Sequence, residues 1–530
     1  MPQPNWRPKL VVAAEPAGPA GRPRPRVVAT SYEQELQTDH LIDDIGRRSV
    51  RGGAWTFAAQ AVKVFAQFGA VVILARWLPP AAFGLVAMVV AMNMVLDPLK
   101  ELGLSSATIQ RTDITHREVS TLFWVNTGVG AFIALSLWLA APVIAHFYGQ
   151  SELVPVTRWL ALGFLIGGLG AQHWALLRRQ MRFGEVAVLE AAAEIAGFGI
   201  AIALALGGAG YWALVAQRLV SPALLVAGCW TLCRWRPALP SRSKRLGELL
   251  IYGGSLTATA VLGTFSRSID QIVIGWVWGP VALGFYERAS RLMMVPQNNI
   301  WVPFYSVGMP MLSRLTGSEQ RYREAFNELI EKLAMLMIPA AVCIALTADW
   351  ITGLLFGARW MAAAPLVACF GVALAYQPLI IVIGLLYLSQ NRPGDVLRAS
   401  VIDVVLTIMS IAIGLPFGTV GVAAALVTIG ISVRTPTAFF LATRTGPVRQ
   451  RDIYATIWPA VLAAAPVAGV VWGFRQVAPD LTSAPLTGLA GAVPLAIAAA
   501  CATYWTMPKT RRAVLGVLRL PQLLRGAKDA

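Results

Sequence analysis

The chain has 530 residues, of which 56% are hydrophobic and only 13% are charged. Soluble domains carry about one-quarter charged residues, so this composition excludes an ordinary soluble protein. The net charge of +17 has the sign of a nucleic-acid-binding protein, but the bases stand in short clusters between long apolar runs, which argues against nucleic acid as a partner. The sequence therefore predicts an all-α polytopic membrane protein.

Residues 1–50 form a first segment that is rich in proline, glycine and arginine and then polar. No apolar core follows a basic region here, so the segment does not fit a cleaved signal peptide. We expect a disordered cytoplasmic tail, because such a composition cannot bury enough apolar surface to fold.

Long apolar runs then recur from Ala54 to Thr506. We predict about fourteen transmembrane helices, since each needs about 20 residues to cross the hydrocarbon of a bilayer. Basic clusters follow every second helix, as at 178–182 and 234–245, whereas the alternate connections, as at Pro79-Pro80, are nearly free of Lys and Arg. By the positive-inside rule, we expect both termini in the cytoplasm.

The sequence shows no pattern typical of an enzyme. The connections between the predicted helices are too short for a catalytic domain, and no Gly-rich loop ends in GK[ST], so nothing indicates ATP use. The five cysteines lie within or at the end of apolar runs, and the four histidines are scattered. We expect no catalytic residue, no metal and no cofactor.

The chain repeats itself at an offset of 200 to 210 residues. The segment 80–84 (PAAFG) matches 280–284 (PVALG), and 180–185 (QMRFGE) matches 390–395 (QNRPGD), with two further matches in the same order. Such a repeat predicts two homologous six-helix lobes of the same orientation, with an appended C-terminal helix pair. Two facing lobes are the architecture of an alternating-access carrier.

The predicted organisation follows from this repeat. It consists of a cytoplasmic tail, an N-terminal lobe, a cytoplasmic linker, a C-terminal lobe, helices 13–14 and a basic cytoplasmic tail, at 1–50, 51–235, 236–248, 249–443, 444–506 and 507–530 respectively.

Predicted helices 7 and 8, between Tyr252 and Pro303, carry several charges at membrane depth. A charge there costs about 3 kcal/mol or more unless it faces protein or a water-filled cavity. Arg267 and Asp270 share a helix face, and Glu287 and Arg291 share another; if both pairs form, Arg288 is left over as net positive.

Other predicted helices also carry embedded charges. The candidate substrate-binding cations are Arg267, Arg288, Arg291, Lys63, Arg218 and Arg434. The candidate charge-pairing or ion-coupling acids are Asp270, Glu287, Glu190, Glu194 and Asp403. A cationic cavity suits an anionic cargo such as a pyrophosphate headgroup; the alternative is that these residues form internal salt bridges between helices.

Two stretches of sequence resemble a known family. They are the run D-x4-G from Asp270 to Gly275, followed by LGxYxxAxR from Leu283 to Arg291, and the opening RGGAWTFAAQ from Arg51. Both are similar to the Wzx-type oligosaccharide flippases of the multidrug/oligosaccharidyl-lipid/polysaccharide exporter superfamily. Among the candidate site residues, only Asp270 and Arg291 stand at positions of the family's motif.

The resemblance implies a fourteen-helix, two-lobed carrier in the bacterial inner membrane. It would move an undecaprenyl-pyrophosphate-linked oligosaccharide from the cytoplasmic to the periplasmic leaflet, for O-antigen, capsule or exopolysaccharide assembly. The implied partners are that lipid-linked substrate and membrane lipids, with the polysaccharide polymerase and export machinery as further candidates.

Two other functions remain open at this stage. A cation-coupled drug exporter of the same superfamily would prefer an acidic, aromatic cavity, and the excess of embedded bases counts against it. A membrane polymerase or ligase of lipid-linked sugars would need a large periplasmic loop, which the hydropathy does not allow.

Overall fold

The computed structural model describes residues 45–101, 103–111, 114–241, 246–477, 484–507 and 510–511. This part of the chain is helical and contains no β-strand. The predicted terminal tails lie largely outside it, although the first helix already begins at Ile45, inside the segment predicted as the N-terminal tail.

Seventeen α-helices of the described chain are numbered α1 to α17 in chain order. They are α1 Ile45–Trp77, α2 Pro80–Glu101, α3 Leu104–Gln110, α4 His116–Tyr148, α5 Leu153–Arg179, α6 Phe183–Leu206, α7 Trp212–Leu232, α8 Leu246–Leu315, α9 Glu319–Leu346, α10 Ala348–Leu355, α11 Ala364–Ala373, α12 Gln377–Ser389, α13 Pro393–Gly414, α14 Gly418–Ile429, α15 Thr435–Thr443, α16 Gln450–Val477 and α17 Pro485–Thr506. Short 3₁₀ turns cover Ala358–Ala363 and Leu415–Phe417, and a π-helical turn covers Gly430–Arg434.

Eleven stretches of the described chain are long and apolar enough to cross a membrane. The multi-pass α-helical prediction is therefore confirmed. Two of these stretches, Ala260–Val295 and Gly394–Thr443, each contain a glycine with a positive φ, at Gly279 and Gly418. Side-chain contacts across both glycines show that the chain reverses there.

The reversal in α8 occurs at Gly279, whose φ of 76° and ψ of −172° are not helical. Glycine suits this position because a residue with a Cβ is strained at such a φ. Asp270 accepts a hydrogen bond from the Tyr286 hydroxyl at 2.7 Å. In one straight helix these two residues would lie about 24 Å apart, since each residue rises about 1.5 Å. The arms 246–278 and 280–315 are therefore antiparallel neighbours.

Two equivalent arginine clamps hold the basic ends of the helices. Arg182 donates to the Leu232 carbonyl at 3.1 Å and Arg392 donates to the Ala442 carbonyl at 3.1 Å. Arg392 follows Arg182 by 210 positions, and Ala442 follows Leu232 by the same number. Each arginine also pairs with the acid three residues later. The two halves of the chain therefore use the same hydrogen bonds at the same place.

Among the described residues, one buried cluster joins the halves at one end, whereas the buried clusters at the other end are separate. One buried cluster joins residues of α2, α4 and α5 to residues of α8 and α11. The opposite end, where Arg182 and Arg392 lie, is called the basic end. There the buried residues form two clusters, one drawn from 104–235 and the other from 312–460. We call the packed end the glycine end, after the turns at Gly149, Gly279 and Gly357.

Two glycines make a reciprocal contact at the glycine end. A Cβ added to Gly84 would overlap the carbonyl oxygen of Pro280, and one added to Gly284 would overlap the carbonyl oxygen of Pro80. These four residues are equivalent in pairs within the sequence repeat. The two hairpin turns therefore approach each other backbone to backbone, and only glycine allows this distance.

Two side chains add hydrogen bonds between the halves beside this contact. Arg76 on α1 donates to the Leu354 carbonyl at 2.6 Å. The Trp360 indole donates to the Ala75 carbonyl at 2.7 Å. Both acceptors are backbone carbonyls, so the glycine end is closed by hydrogen bonds as well as by packing.

Candidate functional site

A small polar pocket lies between the two halves of the protein. It is lined by α2 and α7 of the first half and by both arms of α8, and its volume is about 40 Å³, which is room for a few water molecules. Its principal side chains are Phe83, Gln217, Arg218, Gln271, Glu287, Arg288 and Arg291. Four of the predicted site residues, Arg218, Glu287, Arg288 and Arg291, therefore meet in one place.

Glu287 is shared between two arginines of the same helical arm. Its carboxylate accepts from the Nε of Arg288 at 2.7 Å and from the Nε of Arg291 at 2.6 Å. Glu287 and Arg288 are both buried, and the Arg288 guanidinium lies 4.2 Å from the ring centre of Phe83 across the interface between the halves. A shared carboxylate and an aromatic face are what a buried guanidinium requires.

Arg218 enters the same pocket from α7; the carboxylates of Glu287 and Glu194 lie near enough to act on its charge, but neither forms an ion pair with it in the described chain. Arg218 is an exposed residue that lines the pocket. It makes no hydrogen bond or ion pair with any residue that the structure describes. Among the side chains that line the pocket, three guanidiniums therefore face a single carboxylate, which gives the lining a net charge of +2.

The pocket lies near mid-depth of the helices. Glu287 and Arg291 come eight and twelve residues after the reversal at Gly279, which places them about 12 and 18 Å along the arm. Half of a typical hydrocarbon core is about 15 Å. A site at this depth and between the halves is the expected location of a carrier's cargo site.

Lys63 and Arg434 lie outside this pocket and each has its own acid. Lys63 reaches Glu190 at 3.7 Å, and Arg434 forms an ion pair with Asp403. Glu190 also accepts from the indole of Trp174 at 3.3 Å. Both pairs join neighbouring helices, as the salt-bridge alternative proposed.

The pairing considered for Arg267 and Asp270 is not formed. Asp270 instead accepts hydrogen bonds from the Tyr286 hydroxyl at 2.7 Å and the Gln271 amide at 2.8 Å. Arg267 is exposed and makes no hydrogen bond or ion pair within the described chain. The reason is the reversal at Gly279, which brings Tyr286 to Asp270 from the other arm.

The Glu287–Arg291 pair is formed, but Arg288 is not left over, because Glu287 binds Arg288 as well. Glu194 has no ion pair within the described residues. Sequence reasoning missed the uncharged pocket residues Phe83 and Gln217. Phe83 stands in the repeated PAAFG segment, and this was the signal that could have identified it.

Within the described residues, no group of three or more His, Cys, Asp or Glu side chains could hold a metal ion.

Comparison with known proteins assigns the family. The family described as "Polysaccharide biosynthesis protein" matches residues 73–365, which is more than half of the chain. The chain belongs to this family. The matched segment contains the whole pocket and both sides of the closed glycine end.

Several curated proteins are similar to this chain over more than half of its length. The chain is 28% identical over 310 residues to the teichuronic acid biosynthesis protein TuaB of Bacillus subtilis (strain 168), covering 58% of this chain and 61% of TuaB. It is 24% identical over 358 residues to the lipopolysaccharide biosynthesis protein WzxC of Escherichia coli (strain K12), covering 66% and 70%. The chain thus matches less than two thirds of the length of TuaB.

Solved structures show the same fold. The lipid II flippase MurJ in an inward closed conformation aligns with a TM-score of 0.68 at 14% identity, covering 86% of this chain and 98% of MurJ. An inward-facing multidrug resistance MATE transporter aligns with a TM-score of 0.58 at 16% identity, covering 74% and 95%. At these identities the likeness shows the fold, and function has to be argued from the site.

Proposed function

We propose that this protein is a flippase that moves a lipid-linked oligosaccharide from the cytoplasmic to the outer leaflet of a bacterial plasma membrane. The observation that carries the proposal is the pocket between the halves, where three guanidiniums face one carboxylate at mid-membrane depth. A cargo with a phosphate or pyrophosphate linkage matches this excess of positive charge. TuaB and WzxC bear the names of polysaccharide biosynthesis proteins, which supports a glycan as the rest of the cargo.

The pocket has donors available for such a linkage. Arg291 uses its Nε for Glu287, and its terminal amino groups make no hydrogen bond to a described residue. Arg218 offers all of its donors. Because Arg218 lies on α7 and Arg291 on α8, one phosphate bound by both would be held by the two halves at once.

The described conformation fits a state before cargo entry. A volume of about 40 Å³ is room for a few water molecules and is too small for a lipid-linked oligosaccharide. The glycine end is closed and the buried clusters at the basic end are separate. We therefore propose that cargo enters from the basic end, which the positive-inside pattern assigns to the cytoplasm.

Glu287 acts in this mechanism as an internal counter-ion. It holds Arg288 and Arg291 while the site is empty, because two guanidiniums this close together, one of them buried, would repel each other without an anion. Phosphate oxygens then replace the carboxylate on Arg291. When the cargo leaves, Glu287 takes back both arginines.

The fold is also shared with multidrug transporters, and the charge of the pocket separates the two functions. A cationic drug would meet a net charge of +2 in this pocket, which opposes its binding. The same transport requires no covalent chemistry, so we propose a carrier and not an enzyme.

The test replaces Arg218 and Arg291 separately by alanine in a strain that lacks the chromosomal gene. Each change removes charged hydrogen bonds worth about 1.5–3 kcal/mol, so glycan export is expected to fall by about tenfold or more. The assay measures surface polysaccharide and the lipid-linked repeat units that accumulate inside.

Arg434→Ala is the matched control, since Arg434 is an embedded arginine outside the pocket with its own acid. It is expected to retain most export if it inserts at a normal level. Normal surface polysaccharide in both pocket variants, with all three proteins present in the membrane, would contradict the proposed function.

A further inference from the structure

A second cavity lies on the first half of the protein and shares no residue with the pocket between the halves. It is a groove of about 420 Å³ between α4 and α5. Trp138 contributes from α4, and α5 contributes Val154, Pro155, Arg158, Trp159 and Leu162. Apart from one guanidinium and two indoles, the lining is apolar.

The polar groups of this groove are all hydrogen-bond donors. The Arg158 guanidinium lies 4.4 Å from the ring centre of Trp138, which fixes its position by a cation–π contact. Arg158, Trp138 and Trp159 make no hydrogen bond to any residue that the structure describes, and no acid lines the groove. Three donor side chains without a described acceptor favour a ligand that supplies acceptors.

The groove lies at the depth where lipid headgroups meet the hydrocarbon. Helix α4 has 33 residues and is therefore about 50 Å long, so it extends beyond a hydrocarbon core of about 30 Å. Arg158 comes five residues after the start of α5, about 8 Å from the glycine end of that helix. Trp159, next to Arg158 in sequence, is 52% exposed, as expected of a tryptophan in an interfacial belt.

We propose that this groove binds a membrane glycerophospholipid in the leaflet at the glycine end. Its phosphate accepts hydrogen bonds from Arg158 and from the indoles of Trp138 and Trp159. One acyl chain lies along the apolar floor between Val154 and Leu162. A phosphodiester has acceptors and no donors, which complements the groove, and the positive charge of Arg158 selects anionic phosphatidylglycerol over zwitterionic phosphatidylethanolamine.

The test uses the full chain purified in detergent and native mass spectrometry with added dioleoyl-phosphatidylglycerol. Wild-type protein is expected to retain one phosphatidylglycerol in preference to phosphatidylethanolamine. Arg158→Gln removes the charged hydrogen bonds to the phosphate, so we expect retention to fall about tenfold. Equal retention by wild type and Arg158→Gln would overturn the proposal.

Arg359→Gln is the matched control. Arg359 is an exposed arginine in the 3₁₀ turn Ala358–Ala363, beside the glycine-end turn at Gly357, and it lines neither this groove nor the pocket between the halves. Its replacement is expected to leave lipid retention unchanged. If it lowers retention as much as Arg158→Gln does, the binding is a general surface-charge effect and the proposal is wrong.

Two further measurements identify the ligand. The double variant Trp138→Phe, Trp159→Phe keeps the aromatic rings and removes both N–H donors, so it tests the site even if Arg158→Gln fails to fold; unchanged retention in it would contradict the role of the indoles. Displacement of the lipid by inorganic phosphate, or preference for undecaprenyl phosphate over phosphatidylglycerol, would overturn the assignment to a glycerophospholipid.

Discussion

The closed glycine end depends on two glycines, and replacing either by alanine tests how the halves are held together. In Gly84→Ala the new methyl group would overlap the Pro280 carbonyl oxygen, and in Gly284→Ala it would overlap the Pro80 carbonyl oxygen. Both obstacles are backbone atoms, which cannot turn aside as a side chain can. We therefore expect each substitution to destabilise the closed end specifically.

The magnitude follows from the cost of overpacking. One extra methyl in a well-packed contact costs about 1–3 kcal/mol, and this shifts the ratio of closed to open glycine end by roughly 5- to 150-fold. The two glycines share one contact, so the double variant is expected to lose less than the sum of the two. Insertion is expected to be normal, since alanine favours a helix over glycine by about 1 kcal/mol.

The assay measures access to the pocket from the glycine end. Gln217 lines the pocket and is replaced by cysteine after the five native cysteines have been removed. The rate of labelling by a membrane-impermeant maleimide is then measured from each side of sealed vesicles. Gly84→Ala and Gly284→Ala are expected to raise the rate from the glycine end and lower it from the basic end.

Gly199→Ala is the control, because a methyl added at Gly199 meets open space. It is expected to label as the parent protein does. If Gly84→Ala and Gly284→Ala both insert normally and both label at the parent rate from each side, the reciprocal glycine contact does not hold the halves together and the reasoning is refuted.

Three further predictions concern charged pairs. Glu287→Gln raises the net charge of the pocket from +2 to +3, so cargo is expected to bind more tightly and export, measured as surface polysaccharide, to slow by about tenfold; faster export would contradict the counter-ion role. Arg434→Asp and Asp403→Arg each place two like charges side by side, so each is expected to lower the amount of protein in the membrane, which the truncation Arg434→Ala does not do; the double swap is expected to restore it, because the pair is structural, and a swap as defective as the singles would show otherwise. Burial alone would raise the pKa of Asp349, but the hydrogen bonds and charge of Arg475 lower it overall. The pair therefore stabilises the fold above the ordinary carboxyl pKa of about 4, and this contribution is lost as the pH falls through the lower folded-state pKa. Asp349→Asn is expected to lower thermal stability by about 1 kcal/mol or less at pH 7, with the difference shrinking as the pH falls below about 4, and a difference that grows in acid would refute the assignment.

A large part of the description was accessible from composition and spacing. Membrane insertion and helix formation depend on local runs of apolar residues, and the eleven candidate spans confirm both. The resemblance rested on contiguous motifs such as LGxYxxAxR, and the family match confirms it. The two-lobe division remains a prediction, supported by the equivalent hydrogen bonds of Arg182 and Arg392.

The partners of the charged residues could not be predicted from the sequence in the same way. Asp270 and Arg267 are three residues apart, yet Asp270 bonds to Tyr286, sixteen residues away. Asp403 and Arg434 are thirty-one residues apart and form an ion pair. Both partners are brought together by chain reversals at Gly279 and Gly418, which sequence spacing on a single helix does not describe.

The sequence by itself determined that this is a helical membrane protein with charged residues inside its membrane-spanning helices, because hydropathy and helix periodicity are local properties of the chain. Only the tertiary structure decided which of those charges is balanced. Lys63 and Arg434 meet acids on neighbouring helices, whereas Arg218 meets two more arginines and one carboxylate across the interface between the halves. That difference depends on how helices distant in sequence are turned toward each other, and packing of the whole molecule sets this orientation.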